Sequence, residues 1–219
     1  MIERFFEKGL TYTWAIPPQL QSPNNDGAVL MSGLTNPPQL TYTGNNNVLP
    51  NVTPAVPAGL AANMAIPYRW VNYVKGQTAY LLSQTTDVLT GPMSGCWICS
   101  WQEGGARHVG HLGTVDTSPP NQAPNTTVKQ TFAARPTLLH SHIRAFNPAG
   151  PWKQSEVMKI ANSIPKTAGF YLGQVIALVT TQNRFFSLLM FQKGNDWVCG
   201  GKKEITSPLH RPAFLKELA

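Results

Sequence analysis

Cys96 is the residue of this chain whose surroundings are best suited to chemistry. It stands in Thr90-Gly91-Pro92-Met93-Ser94-Gly95-Cys96-Trp97-Ile98-Cys99-Ser100-Trp101. A glycine directly before a cysteine lets the backbone turn sharply and lets a reacting group come close to the sulfur. The amides of Ser94, Gly95 and Cys96 can converge on one point, as donors to an oxyanion must. Beyond Cys96 the residues read as strand, which places the thiol at a loop-to-strand junction. A thiol attacks a carbonyl as its thiolate, so it needs a base to take the proton. Two histidines follow, His108 and His111. The chemistry implied is acyl transfer: sulfur attacks an amide carbonyl, nitrogen leaves, and water cleaves the thioester.

Which histidine faces the sulfur depends on strand register. Residues 96–101 and 107–112 read as two strands joined through Gly104-Gly105. A four-residue loop over 102–105 pairs residues whose numbers sum to 207 and sets His111 opposite Cys96. A five-residue loop over 100–104 gives 204 and sets His108 there. A bulge at the glycines moves the register either way, and a shift by one residue reverses every side chain. Local pattern leaves both histidines open.

Two rival chemistries use the same residues. Cys96-Trp97-Ile98-Cys99 fits the Cys-x-x-Cys redox pattern, but that motif opens a helix whereas this segment reads as strand. On a strand, residues three apart point to opposite faces, which prevents disulfide formation. Cys96, Cys99, His108 and His111 would also supply four zinc ligands in a non-enzymatic β-sandwich interaction domain. Their central gap of eight is shorter than usual, and the strand geometry spoils both ligand pairs. Neither a metal nor another cofactor is expected.

The elements that must hold this segment are mostly strands. Residues 138–146 alternate, with Leu139, Ser141, Ile143 and Ala145 on one face and His140, His142 and Arg144 on the other, a solvated face. Residues 170–180 and 184–191 are apolar runs expected as buried strands, and 197–199 close a hairpin through 193–196. Pro151 to Ile164 carries Val157, Ile160, Ala161 and Ile164 at helical spacing. Between Pro17 and Pro67, Pro17-Pro18, Pro37-Pro38 and Asn45-Asn46-Asn47 exclude a mainly helical stretch and fit turns between short edge strands. The fold class is mixed α/β (α+β): a β-sheet sandwich with flanking helices and long Pro/Asn-rich loops, read as a single domain over 1–219.

Composition sets the outer bounds. Only 12% of the residues are charged, against 42% hydrophobic, which also favours sheet and loops over a helical bundle. No apolar run approaches the ~20 residues of a membrane span. The N-terminus, Met1-Ile2-Glu3-Arg4-Phe5-Phe6, lacks the apolar core of a Sec-type signal peptide. The net charge of +7 comes from 17 scattered Lys and Arg, of which only Lys202 and Lys203 are adjacent. That is not the clustered stripe that a direct nucleic-acid ligand needs, but it suits an acidic protein surface.

The segment 88–112 resembles the papain-like glutamine deamidase toxins, the family that includes Burkholderia lethal factor and the catalytic domain of cytotoxic necrotizing factor. Its Ser-Gly-Cys stands here as Ser94-Gly95-Cys96, preceded by Met93 where the family commonly has Leu. A Thr six residues before the cysteine is matched by Thr90, and a His twelve after it by His108. The resemblance implies an α/β sandwich in which Cys96 is the nucleophile, His108 its base and Thr90 the neighbour of the third, orienting group. It further implies a monomeric toxin delivered from the bacterial cytoplasm to the host cytosol. There it would convert a glutamine of a host protein to glutamate. The implied target is the translation initiation helicase 4A, or a Rho-family GTPase as in the necrotizing factors.

Overall fold

The computed structural model describes residues 1–17, 29–31, 39–44, 48–83, 85–93, 95–114, 122–135 and 138–210. A 3-10 turn at Ile2–Phe5 precedes β1 (Thr11–Trp14), β2 (Val29–Met31), β3 (Leu40–Gly44), β4 (Ala65–Ile66), β5 (Arg69–Val71), β6 (Thr78–Leu82) and β7 (Val88–Thr90). Then come β8 (Trp97–Glu103), β9 (Ala106–Leu112), helix α1 (Gln122–Ala133), β10 (Leu138–Phe146) and helix α2 (Gln154–Ser163). The chain continues with β11 (Leu172–Val179), β12 (Phe185–Lys193), β13 (Asp196–Glu204) and β14 (Leu209–His210).

The described strands form two sheets. One has eight strands in the order β4-β3-β1-β13-β12-β11-β7-β5, the other six in the order β14-β10-β8-β9-β6-β2. The chain is therefore an α+β sandwich, as its alternation and apolar runs predict. The β11–β12–β13 meander is the centre of the larger sheet, because its long apolar runs can be buried on both faces. One face carries Ile176, Leu178, Leu188 and Met190 into a core with Tyr12, Trp14, Trp70 and Trp197. Trp14 meets Trp70 edge-on and donates its indole N–H to the Tyr68 hydroxyl at 2.7 Å, so its burial leaves no orphaned donor.

The opposite face of that sheet is shared. Ala177, Val179, Phe185 and Val88 pack against Ala79, Leu81, Ile98 and Val109 of the smaller sheet. Further along the same strands, Leu189, Phe191 and Val198 pack against α2 through Ile160, Val157 and Ala161. The outer face of the smaller sheet brings Trp101, Cys99 and Ile143 under Phe132 of α1. At that end no helix is predicted from sequence, because Pro124 and Asn125-Thr126-Thr127 crowd its first turns. Proline is tolerated there, where its missing donor is not needed. None of the described helices is long and apolar enough to cross a membrane.

The β8–β9 hairpin carries the site. Its turn has two residues, Gly104 and Gly105, both at positive φ (59° and 78°), the backbone that a two-residue hairpin turn requires. Glu103 therefore pairs with Ala106 and Trp97 with Leu112, and the paired numbers sum to 209. This is neither of the two registers that longer loops would give.

Candidate active site

The register settles which side chains share a face. Residues directly opposite in an antiparallel pair point the same way, and alternate residues of one strand do likewise. His111 pairs with Ile98 and His108 pairs with Trp101. Cys96 stands one residue ahead of β8, in line with Ile98, so His111 belongs to its side of the sheet, between the two sheets. His108 belongs to the outer side, where it stacks on Trp101 with ring centroids 5.4 Å apart and meets Tyr80 edge-on. The structure does not bring His108 to Cys96, in contrast to the expectation from the twelve-residue spacing. The cause is an odd-numbered register sum.

Thr90 ends β7 in the larger sheet, on the face that carries Val88 toward the smaller one. It is fully buried, and its Oγ1 lies 2.7 Å from His111 Nδ1. His111 Nε2 is buried and has no hydrogen-bond partner among the described residues. Burial pushes this imidazole down to about 3, so it is neutral at ordinary pH. Tyr73 packs against it with ring centroids 5.4 Å apart.

Cys96 is nine-tenths buried or more, with 5% exposure. Its Sγ–H points to the Thr114 carbonyl oxygen at 3.8 Å, and the Thr114 hydroxyl donates back to Sγ at 3.5 Å. The same carbonyl accepts the Tyr73 hydroxyl at 2.8 Å. Burial raises the Cys96 thiol above its ordinary value, and both bonds with Thr114 oppose that rise. Tyr73 is pushed up to about 12 by burial and by the neighbouring sulfur. A continuous set of contacts thus runs from Cys96 through Thr114 and Tyr73 to His111 and Thr90. Its position is fixed from behind by Gly113, whose N–H donates to Gln77 O at 2.8 Å. A Cβ at Gly113 would collide with the carbonyl oxygens of Val74 and Gln77.

Gly95 is exposed, and a Cβ there would meet nothing within 4 Å, so glycine leaves the approach to the sulfur open rather than relieving a clash. Ser94, the other expected contributor to an oxyanion site, lies outside the described residues. Cys99 is fully buried on the outer face beside Trp101, and burial raises its thiol well above the ordinary value. Cys96 and Cys99 are both free thiols. The four residues of the zinc reading divide between opposite faces, Cys96 and His111 inside, Cys99 and His108 outside. Among the described residues no group of three or more His, Cys, Asp or Glu could hold a metal ion.

Sequence reasoning missed Tyr73 and Thr114, which come from a loop before β6 and from the residues after β9. It named His111 only as an alternative. The adjacent glycines carried the missing signal, since Gly-Gly between two alternating segments is a two-residue turn signature. Comparison of the chain with protein-family models, with curated proteins and with solved structures finds no match.

Proposed function

We propose that the chain is a cysteine-dependent protein glutamine deamidase, with Cys96 as nucleophile, His111 as base and Thr90 as the group that orients the base. The observation that carries this reading is the Thr90–His111 pair. A hydrogen bond at Nδ1 fixes the ring, while Nε2 is buried and free on the side of the sheet that holds the only thiol at a chain junction. With the imidazole proton on Nδ1, donated to Thr90 Oγ1, Nε2 presents its lone pair. This assigns the base to His111, three residues beyond the position that the resemblance picks out.

The reaction then balances without a cofactor. Sγ attacks the side-chain amide carbon of a glutamine as its proton passes to His111 Nε2. The C–N bond breaks, the nitrogen takes that proton, and ammonia leaves a thioester. Water attacks the thioester, again losing its proton to Nε2. The C–S bond breaks, glutamate departs and the thiol is restored. Thr114 holds the resting sulfur, so the Cys96 side chain turns from Thr114 toward His111 as the substrate enters. A correctly placed base typically accounts for ~10²–10⁴-fold of such a rate.

The resemblance of 88–112 extends the proposal to a toxin acting in a host cytosol on the translation initiation helicase 4A, with Rho-family GTPases as the alternative. Incubating the purified chain with each of these proteins, then mapping peptides by mass spectrometry, tests it. A Gln-to-Glu change with ammonia release and no backbone cleavage is expected. Cleaved fragments, or unchanged proteins in both cases, would count against it.

A further inference from the structure

The smaller sheet runs on past the shared core at its hairpin end. Ile98 and Val109 of its inner face belong to the cluster packed between the sheets. Ser100 and Gln102 continue that face along β8, and the register sets Arg107 opposite Gln102 and Arg144 opposite Ser100. The larger sheet stops short there. β11 ends at Val179, and the chain turns back through Asn183 to begin β12 at Phe185. The inner face beyond Ile98 is therefore open to a cleft of about 220 Å³, lined by Ser100, Gln102, Arg107, His142, Arg144 and Asn183.

This lining is cationic. Arg107 is held by three hydrogen bonds, from Nε to Ser83 O at 2.9 Å, Nη1 to Thr180 O at 3.0 Å and Nη2 to Ser83 Oγ at 2.9 Å. All three partners are neutral, so the guanidinium is fixed without its charge being cancelled at contact. Among the described residues Arg144 donates only to the carbonyl of its neighbour Ile143, at 3.0 Å. His142 Nδ1 donates to Gln102 Oε1 at 2.6 Å, which occupies the acceptor oxygen of that amide. No carboxylate lines the cleft among the described residues. Asp87 acts on Arg107 electrostatically, but its two oxygens accept the amides of Ile2 and Thr181 at 2.8 and 2.7 Å. Glu204 lies in an adjoining cavity that Arg144 and Asn183 also line, and Arg184 grips both its oxygens at 2.8 Å. Two arginines gathered in one concavity without an acid repel each other until an anion joins them.

We infer that this cleft binds the phosphate group of a phosphate monoester, with Arg107 as the fixed half of a clamp and Arg144 as the closing half. The two arginines flank β8 from either side, so their backbones stand two strand spacings apart, about 10 Å, and are offset by two residues, about 7 Å. Long side chains from such positions can converge on one group above Ser100. A carboxylate has oxygens enough for one guanidinium fork. A phosphate monoester offers three and carries close to two charges at neutral pH, which suits two forks at once. The cations are confined to one cleft and not laid out in a stripe, which favours a single group over a nucleic-acid backbone. The site is separate from Cys96 and independent of the deamidase reading. Ser100 lies four residues further along β8, about 13 Å, and the Ile98–Val109 packing stands between them.

The test follows the thermal midpoint of the whole chain at neutral pH and constant ionic strength. The probes are inorganic phosphate, glycerol phosphate, and a short peptide with and without phosphoserine. Phosphate should raise the midpoint saturably, while sodium chloride and acetate should not. Arg144 can be exchanged without loosening the fold, because it bonds only to an adjacent carbonyl, whereas Arg107 ties the two sheets together. Arg144→Gln should raise the half-saturating phosphate concentration about tenfold or more, while Lys166→Gln and Cys96→Ser leave it within about twofold. Saturation by the phosphopeptide below inorganic phosphate would identify the source as a phosphorylated protein side chain. Equal or tighter action of glycerol phosphate would identify a small phosphorylated molecule. The absence of a saturable rise, an equal effect of acetate, or an unchanged response in Arg144→Gln overturns the site. Tighter binding of a single-stranded oligonucleotide lacking terminal phosphates would assign the cleft to a phosphodiester backbone and likewise overturn the proposal.

Discussion

Thr90 and His111 belong to different sheets, yet their side chains meet at 2.7 Å. The bond crosses the interior of the sandwich at the end where Cys96 enters β8. The base of the proposed reaction is thus oriented by the packing of one sheet on the other, and anything that shifts the sheets shifts the imidazole.

The two neighbouring thiols should behave differently. Cys96→Ser is expected to abolish deamidation with little change in thermal midpoint. Cys99→Ser should keep activity and lose about 1–3 kcal/mol of stability, because a hydroxyl replaces sulfur in a fully buried apolar cluster. Ammonia release and thermal melts on both variants check this, and equal loss of activity would instead favour a shared role for the pair.

The histidines should separate in the same way. His111→Asn is expected to lower kcat by ~10²–10⁴-fold. His108→Ala should leave kcat within a few-fold and reduce stability by about 1 kcal/mol, through loss of its stacking on Trp101. Steady-state kinetics on the two variants decides between them, and the opposite pattern would restore His108 as base.

Thr90 acts through His111, and its substitutions should show it. Thr90→Val preserves shape but removes the oxygen beside Nδ1, so kcat should fall about tenfold or more while KM changes little. Thr90→Ser, which keeps the oxygen, should recover most of the rate. Thr90→Val and Thr90→Ser with equal kcat would reduce Thr90 to a packing residue.

The pH dependence has a definite sign. His111 titrates at about 3 in the folded chain against an ordinary 6.5, so below 6.5 the unfolded chain binds the extra proton. Stability is full above pH 6.5 and falls by up to about 1.4 kcal/mol per unit as pH drops toward 3. Urea unfolding between about pH 7 and pH 5, before most carboxylates titrate, should show this slope in the native chain and lose most of it in His111→Asn, the remainder coming from His108, whose imidazole burial also lowers. In the same direction of argument, the raised Cys96 thiol should be alkylated by iodoacetamide with a midpoint above the ordinary thiol value. A reactive plateau below pH 7 would reveal a thiolate–imidazolium pair and contradict the neutral resting state.

Much of the fold could be read from alternation and apolar runs, because a strand's burial is written locally in its own residues. The β11, β12 and β13 segments and helix α2 are of this kind. Helix α1 was not legible: among its described side chains only Val128 and Phe132 are buried hydrophobics, too few to mark an apolar face. In the site, Cys96 and Thr90 stood out by type and spacing. Tyr73 and Thr114 did not, because they reach the sulfur only through tertiary packing of separate segments. The choice of histidine turned on one loop length, and there the spacing borrowed from a resemblance outweighed the two glycines that specify the turn.

That turn has a consequence for how such a chain can vary. Gly104 and Gly105 count out a two-residue reversal, and the count sets which side of β9 faces inward. Adding one residue there would carry His108 to the interior and turn His111 outward, or else force a bulge that absorbs the addition. Sequence length at this reversal is therefore constrained: steps of two can keep the inner and outer histidines in place, while a single codon gained or lost must either be absorbed in a longer, bulged turn or hand the thiol a different partner.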